Sequence, residues 1–462
     1  MVQRNAPRNL ACRGEGSAWL DASLAIGQQL TRDAQRHGRR LSWIGDDLAG
    51  NDPVTAQVIQ VDVGPNLYGG SSGIGWFLAH VGAYAGDIAL ERAGIAALAS
   101  ALADCKAGLD ASSLSLFSGA SGTALAALQV AVRLDRRNLR RSALSLAKAT
   151  AGHVAAGSLP DEADLIAGLA GIVVALAATH RLAPDRCFID ACRVACNRLV
   201  RMGRESLGGT SWPDVHAAAQ VPGLCGLGHG ASGIAWALDE AAELTGDHHF
   251  AEVAADALRY ERSWFAADVS NWPDLRDPPP DADAAGWPGS MIAWCHGAIG
   301  IGALRWRMYE RSGDLAALAE AGASIHAVRT LTARARRALK EGQPSDVTLC
   351  HGLGGAVELL LLAHEITGFE EHHRAARRVG ELCLDIFRAN HRKWTTGLAG
   401  AHHVPGLMVG AAGIGTVMLR LHDSTSIVSP LLPGRPARKQ HLTSAGHGLI
   451  SGPVEAQPSG SA

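Results

Sequence analysis

Two short segments of the sequence each place a cysteine, a histidine and a glycine side by side. They are residues 294–302 (WCHGAIGIG) and residues 349–356 (LCHGLGGA), and each carries a second glycine three residues after the first. Thiolates and imidazoles are donors that zinc accepts at about 2.0–2.3 Å, whereas hard cations such as magnesium prefer oxygen. If the two segments meet in the fold, Cys295, Cys350 and the histidines beside them would form a zinc site.

The residues alone permit two ligand sets for such an ion. Cys295, His296, Cys350 and His351 would make a closed set of four, which is typical of structural zinc, whereas three ligands would leave an open position, which is typical of catalytic zinc. It is geometrically awkward for two adjacent residues in both segments to reach one ion, which favours three ligands. The chain has nine cysteines, an odd number, over a long sequence. That argues against a disulfide framework and for metal or thiol chemistry at this pair.

The two segments belong to a longer repeat that is marked by glycines. A G-x-x-G step occurs seven times, and its first glycine is Gly70, Gly119, Gly168, Gly230, Gly297, Gly352 or Gly410. The intervals of about fifty to sixty-five residues are long enough for two helices and their loops. Each step opens an apolar stretch, and amphipathic stretches with helical spacing lie between the steps.

The alternation of apolar and amphipathic helices predicts an all-α fold. We expect an α/α toroid, a double-layered α-barrel of seven helical-hairpin repeats with the apolar helices inside. An open helical solenoid is the alternative that the spacing permits. In a toroid the inner helices crowd together at their N-termini, so glycine would allow close backbone approach or a positive φ there. Neighbouring repeats would place Cys295 and Cys350 on adjacent inner helices.

Three regions follow from this pattern. We expect residues 1–60 to form an N-terminal helical extension, residues 61–425 the seven-repeat barrel, and residues 426–462 a disordered C-terminal tail. The tail prediction rests on its richness in glycine, serine and proline. Deletion of the tail after Val428 is therefore expected to leave zinc content and activity intact.

Composition and charge restrict the location and partners of the protein. The first twenty residues lack the uninterrupted apolar core of a signal peptide, and no apolar run is long enough to span a bilayer. We therefore expect a cytoplasmic protein without a transmembrane segment. The net charge of −2 provides no basic field to attract nucleic acid, which is not expected as a partner.

At these motifs the sequence resembles the lanthionine synthetase C-like (LanC-like) cyclases, including the cyclase portion of class II lanthipeptide synthetases. The likeness runs from about Asn66 to Leu421, and its most specific elements are AWCHGAIGIG, LCHGLGG, GLGHGASGIAWAL, DLIAGLAG and PGLMVGAAGIGTVMLRL. The resemblance implies a seven-fold α/α barrel in which Cys295, Cys350 and His351 hold Zn²⁺. The fourth ligand position would be left to a substrate cysteine.

The resemblance also implies acid/base roles near the metal for His229 and Asp164. The alternatives are a core histidine satisfied by backbone groups and an aspartate that caps the third inner helix. His296 falls where the family has no ligand. Some family members carry an arginine four residues before the first zinc cysteine, where this chain has Met291, and Arg276 is a candidate to supply the cation from elsewhere.

The implied reaction is conjugate addition of a peptide cysteine to dehydroalanine or dehydrobutyrine, which closes a (methyl)lanthionine ring in a dehydrated precursor peptide. A free thiol has a pKa near 8.5 and the thiolate is the nucleophile, so coordination by zinc would activate it. His229 is the candidate acid that protonates the α-carbon afterwards. No dehydratase or kinase–lyase domain fits before residue 60, so a separate dehydrating enzyme is expected.

Other functions are compatible with parts of this pattern. Addition of glutathione or another thiol to dehydroamino acids needs the same zinc. Protein prenyltransferase β subunits combine zinc with a helical toroid, but they use an aspartate ligand and an aromatic-lined pocket, which fit poorly with 5% aromatic residues. A non-catalytic scaffold would instead hold its zinc with four protein ligands.

Overall fold

A computed structural model describes residues 16–38, 40–49, 57–206, 208–213, 221–276, 289–398 and 400–434. The α-helices of these residues are α1 Gly16–Asp33, α2 Ser71–Ala85, α3 Ile88–Ala107, α4 Ala120–Arg133, α5 Arg137–Ala155, α6 Leu169–Leu182, α7 Arg186–Met202, α8 Ala231–Thr245, α9 His248–Ser263, α10 Ala298–Ser312, α11 Leu315–Lys340, α12 Leu353–Thr367, α13 Glu370–Ala389 and α14 Ala411–His422. Three antiparallel hairpins pair β1 Gln35–His37 with β2 Arg40–Ser42, β3 Ile44–Ala49 with β4 Gln57–Asp62, and β5 Arg204–Ser206 with β6 Gly209–Ser211.

The seven even-numbered helices form a closed inner ring. Each packs against the next one, and α14 packs against α2. Their apolar sequences explain this position, since in α6 every residue from Leu169 to Thr179 is buried, as expected of a helix surrounded by other helices. The prediction of a seven-repeat α/α toroid is confirmed, and the closed ring excludes the open solenoid.

The odd-numbered helices form the outer layer. Each odd-numbered helix from α3 to α13 packs against the inner helix that directly precedes it. Helix α1 takes the remaining place beside α14, where Ser23 Oγ donates a hydrogen bond of 2.8 Å to the carbonyl oxygen of Gly415. Helix α1 also contacts α2 and α3, so the N-terminal helix joins the last repeat to the first. Within the described part of the chain, every helix is too short or too polar to span a bilayer.

This packing differs from the expected division at residues 60 and 61. Helix α1 completes the toroid because it covers the apolar face that α14 would otherwise expose. The four strands β1 to β4 follow α1, whereas the sequence pattern predicts a helical extension only. Residues 1–15 of that extension lie outside the described residues.

Residues 426–434, which we call the C-terminal segment, pack inside the inner ring. Ile427, Leu431 and Leu432 are buried, and Ser429 Oγ donates a hydrogen bond of 2.7 Å to Glu358 on α12. The segment also lines small cavities together with residues of α2, α4, α6, α8 and α10. A disordered tail was expected from residue 426, but residues 426–434 are packed, because their apolar side chains fill the centre of the ring. The tail from residue 435 onward lies outside the described residues.

The turns that precede the inner helices are linked to one another by backbone hydrogen bonds around the ring. At five junctions the donor is the residue two positions before the first glycine of a step: Tyr68 to Phe117, Phe117 to Ile166, Gly228 to Cys295, Cys350 to Met408, and Met408 to Tyr68. At the other two junctions the donor lies three positions before the first glycine: Leu165 donates to Gly228, and Trp294 donates to Cys350. Each repeat is thus tied to the next at the position where Cys295 and Cys350 occur.

The second glycine of each step is required because the preceding turn crosses over the start of its own helix. A Cβ at Gly122, Gly300 or Gly413 would overlap the carbonyl oxygen of the residue six positions earlier. The expected close backbone approach is therefore present. A positive φ occurs at only one of the seven first glycines, Gly297, with a value of +97°.

Candidate metal centre

The turns before α10 and α12 bring Cys295, Cys350 and His351 together. The two sulfur atoms and one imidazole nitrogen all lie within 4.8 Å of one another, with both cysteines buried and the histidine partly buried. The N–H of Trp294 donates to the carbonyl oxygen of Cys350 over 2.7 Å, which holds the two turns side by side. Equivalent positions of adjacent repeats therefore face each other, as the repeat pattern predicts.

This donor set fits a zinc ion. A tetrahedral ion with ligand distances of about 2.0–2.3 Å keeps its donors roughly 3.3–3.8 Å apart, so a trio within 4.8 Å needs only small side-chain movements to bind it. Two thiols and an imidazole suit zinc, whereas calcium and magnesium require oxygen ligands. Three protein ligands would leave one position open to a further donor.

His296 lies apart from this trio. Its ring stacks on that of His229, with the ring centroids 5.2 Å apart and the planes at 19°. Its side chain is buried, and its Nδ1 has no hydrogen-bond partner among the described residues. In the described part of the chain, the metal-binding cluster thus contains three candidate ligands, and the four-ligand alternative gains no support.

Hydrogen bonds and burial shift the pKa values of the three donors. The pKa of Cys295 falls well below its usual range, chiefly because Cys350 donates a hydrogen bond to it, and His351 adds another. Burial raises the pKa of the Cys350 thiol well above its usual range. Burial lowers the pKa of His351, but the hydrogen bond and charge of Cys295 outweigh this, so the net shift is upward. Zinc binds cysteine as the thiolate and histidine as the neutral imidazole, so metal binding would release any protons that these donors carry.

Tyr68 is a further residue of the site, one that the sequence motifs do not predict. Its hydroxyl donates a hydrogen bond of 3.1 Å to Cys350 Sγ. Burial, followed by the charge of Cys350, raises the pKa of Tyr68 far above its usual range, so it stays a donor. The only signal in the sequence was that Tyr68 occupies the same repeat position as Cys295 and Cys350. Its reach from the first repeat to the sixth depends on closure of the ring.

Asp164 and His229 form a hydrogen-bonded pair. The imidazole Nδ1 lies 2.6 Å from Asp164 Oδ2 and donates to it. The other carboxylate oxygen accepts hydrogen bonds from the N–H groups of Ala167 and Gly168, at 2.7 and 2.9 Å. Asp164 therefore stabilises the turn before α6 and orients His229 at the same time. The N-cap residue of α6 is Gly168, so Asp164 is not the N-cap and instead accepts hydrogen bonds from the loop that leads into the helix.

His229 lies next to the turn that carries Cys295. The N–H of the preceding residue, Gly228, donates to the carbonyl oxygen of Cys295 over 3.1 Å. Burial lowers the pKa of His229, but the hydrogen bond and charge of Asp164 outweigh it and raise the pKa overall. The side chain is 36% exposed and its partner is a carboxylate, unlike a core histidine satisfied by backbone groups. These features suit an acid that a substrate can reach.

Arg276 places a cation beside Met291. Its guanidinium donates to both oxygens of Asp274, at 2.9 and 2.6 Å, and its Nη2 lies 3.0 Å from Met291 Sδ. The charge of Arg276 acts on His229, His296 and His351. A positive group is therefore present beside the position where the chain has methionine.

Comparisons with known proteins identify the family. The family model described as lanthionine synthetase C-like protein matches residues 61–432, and no curated protein matches the chain. Nisin cyclase has a similar fold, with a TM-score of 0.59 at 18% identity over 89% of this chain and 95% of that chain. A GH76A alpha-1,6-mannanase from Salegentibacter sp. HEL1_6 reaches a TM-score of only 0.42 at 12% identity, over 88% of this chain and 100% of that chain. Because the family model covers well over half of its length, the chain belongs to the lanthionine synthetase C-like family.

Proposed function

We propose that this protein is a zinc-dependent peptide cyclase. It would add cysteine thiols to dehydroalanine or dehydrobutyrine in a precursor peptide dehydrated by a separate enzyme, and so form (methyl)lanthionine rings. The observation that carries this proposal is the convergence of Cys295, Cys350 and His351 in a member of the LanC-like family. A zinc ion held by these three residues would supply the positive charge that keeps a substrate thiol deprotonated.

The proposed reaction balances without an oxidant or co-substrate. A bond forms between the cysteine sulfur and the β-carbon, the double bond between the α- and β-carbons becomes single, and the α-carbon gains the proton that the thiol loses. His229 is the proposed donor of that proton, because Asp164 occupies its Nδ1 and leaves Nε2 for the substrate. Asp164 favours the protonated imidazole by hydrogen bond and charge.

Arg276 is the proposed partner of the negative charge that develops on the substrate carbonyl oxygen after attack. A fixed cation stabilises such a charge more effectively than water does, because it needs no reorganisation during the reaction. Arg276 is held by Asp274, and its side chain is 48% exposed, so that a peptide carbonyl can reach it.

The test uses a dehydrated precursor peptide, thiol alkylation and mass spectrometry. Ring closure adds no mass but protects the cysteines, so we expect the wild-type protein to make them resistant to alkylation. Cys350→Ala should hold little zinc and leave the cysteines alkylatable. Cys192→Ala removes a buried thiol in α7, away from the trio, and should retain both zinc and cyclisation.

Three results would contradict the proposal. Cysteines that remain alkylatable after incubation with the wild-type protein would exclude cyclisation, and addition of free glutathione to the same peptide would indicate intermolecular thiol addition instead. Four protein ligands in an X-ray absorption spectrum of the zinc form would indicate a scaffold.

A further inference from the structure

The ring of Tyr68 is held in place by aromatic neighbours inside the toroid. It meets Phe117 edge-on, with the ring centroids 6.3 Å apart, and Phe117 meets Trp294 in the same way at 4.9 Å. Phe117 and Trp294 are fully buried. The N–H of Tyr68 also donates to the carbonyl oxygen of Phe117 over 2.9 Å. Backbone and ring contacts therefore set the position of the hydroxyl independently of the hydrogen bond that the hydroxyl itself makes.

The hydroxyl of Tyr68 donates to the sulfur of Cys350. The two atoms lie 3.1 Å apart, and Cys350 is fully buried. A thiolate is a stronger acceptor than a thiol, because hydrogen bonds to ionised groups are roughly twice as strong as those between neutral groups. Cysteine binds zinc as the thiolate. The hydrogen bond from Tyr68 would therefore be stronger in the zinc form than in the metal-free protein.

The two cysteines of the trio differ in the source of their hydrogen bonds. Cys295 receives side-chain hydrogen bonds from Cys350 and His351, which are themselves candidate ligands. Tyr68 lies outside the trio of candidate ligands, so its hydrogen bond to Cys350 does not compete with metal binding. Cys350 therefore keeps a side-chain donor when all three ligands bind the ion.

The fold does not require the hydroxyl of Tyr68. Phe117 occupies the same position in the second repeat, and its N–H donates to the next turn in the same way, to the carbonyl oxygen of Ile166 over 3.2 Å. A phenyl ring without a hydroxyl is thus sufficient for a turn of this kind. The hydroxyl that distinguishes Tyr68 from Phe117 lies against the metal centre, where it contacts a ligand.

We propose that Tyr68 is a positioning residue for Cys350. Its hydroxyl donates to the Cys350 thiolate in the zinc form, which fixes the direction of the sulfur and shares its negative charge. Cys350 then gives less charge to the ion, which favours binding of a substrate thiolate at the open position. The inference rests on the proposed function only in that Cys295, Cys350 and His351 bind zinc.

The first test is Tyr68→Phe, which removes the hydroxyl and keeps the ring. We expect the zinc affinity, measured by competition with a chromogenic chelator, to fall about 10–100-fold. In the cobalt(II)-substituted protein, the sulfur-to-cobalt charge-transfer band should move to longer wavelength, because a hydrogen bond lowers the energy of the sulfur electrons and the variant lacks it.

Tyr84→Phe is the matched control. It removes a hydroxyl at the other end of α2, where Tyr84 donates to Asp423 over 3.3 Å, and it should change neither the zinc affinity nor the cobalt spectrum. Thermal unfolding of the metal-free variants verifies that each one folds.

The second test replaces Tyr68 by 3-fluorotyrosine. Fluorine withdraws electrons from the ring and makes the phenol a stronger hydrogen-bond donor, so the charge-transfer band should move to shorter wavelength, opposite to its movement in Tyr68→Phe. A loss of packing would not produce shifts of opposite sign in the two variants.

A charge-transfer band at the wild-type wavelength in Tyr68→Phe would overturn the inference, whatever the zinc affinity of that variant. Shifts in the same direction in both Tyr68 variants would overturn it as well. A wild-type protein that binds zinc and shows the predicted shifts, but leaves the cysteines of the precursor alkylatable, would support the inference and contradict the cyclase proposal. A wild-type protein that binds no zinc would overturn both.

Discussion

Side chains of very different chemistry occupy equivalent places at the N-termini of the inner helices. Backbone hydrogen bonds hold the seven turns in one common arrangement, with Tyr68, Phe117, Ile166, Gly228, Cys295, Cys350 and Met408 at matching positions. Two of these side chains supply thiols, and Tyr68 donates to one of them. Gly228 leaves room for the other, since a Cβ there would lie 2.9 Å from both Cα and Cβ of Cys295. The seven turns thus share one backbone arrangement, but only some of the repeats carry side chains that form the site.

The pH dependence of the reaction tests the role of His229. Asp164 raises the pKa of His229 against the opposing effect of burial, so protonated His229 persists to higher pH and is lost as pH rises through the raised value. Asp164→Asn removes the charge and lowers this pKa. We therefore expect the alkaline limb of the kcat/KM profile for cyclisation to move to lower pH. An alkaline limb that does not move would exclude His229 as the acid.

The raised pKa of His229 also makes the stability of the folded protein depend on pH. Because the pKa of His229 is higher in the folded protein than its ordinary value of 6.5, protonation favours the folded state. This contribution is complete below pH 6.5 and disappears as pH rises through the raised pKa. Asp164→Asn should reduce it, which urea unfolding at two pH values would measure.

At the scale of helices, a buried ion-pair network supports the turn that carries His229. Glu261 on α9 accepts the N–H of Gly226 at 2.9 Å, and it pairs with Arg305 on α10 at 2.8 Å with neither side chain exposed. Arg305 also pairs with Glu320 on α11. Three helices therefore hold the turn before α8 in place.

Arg305→Met tests this network. The variant leaves Glu261 and Glu320 without their shared cation, and the loss of one partner from a buried pair costs about 3–5 kcal/mol. We expect the free energy of unfolding in urea to fall by that amount. Arg388→Met removes a pair with Asp385 on the exposed surface and should cost less than about 1 kcal/mol. Equal losses in the two variants would show that the buried network contributes no more than a surface pair.

For the molecule as a whole, both ends of the described chain complete the toroid. Helix α1 fills the outer place beside α14. The C-terminal segment fills the interior, where the carbonyl oxygen of Leu431 accepts a hydrogen bond of 3.0 Å from Trp294 Nε1. Trp294 directly precedes Cys295, so this hydrogen bond links the C-terminal segment to the turn that carries a metal ligand.

Two truncations separate the packed part of the C-terminal region from the rest. A chain that ends after Gly434 keeps every described contact, and we expect its thermal unfolding and zinc content to match those of the full chain. A chain that ends after Thr425 loses the buried Ile427, Leu431 and Leu432. Each such side chain contributes about 1.5–3 kcal/mol by burial, so we expect a much lower unfolding temperature and less zinc.

Full stability after the longer deletion would show that the interior does not need this segment. Deletion after Val428, expected from sequence to be harmless, now falls within the packed region.

The sequence by itself determined the number of repeats, their two layers and the meeting of Cys295 and Cys350, whereas the choice of His351 over His296 came from the resemblance to the family. These features are readable because their causes are local. The second glycine of a step must avoid a carbonyl six residues away, and the apolar pattern separates inner from outer helices. Adjacent repeats pack together, so two cysteines at the same repeat position must become neighbours.

Only the tertiary structure decided which residues from distant parts of the chain join them. Tyr68 reaches Cys350 across 282 positions, and α1 packs against α14. His296 stacks on His229 and does not join the metal ligands. Each of these contacts depends on closure of the ring and on the direction of side chains at its mouth. No periodicity in the sequence specifies either one, because both arise from the packing of all seven repeats at once.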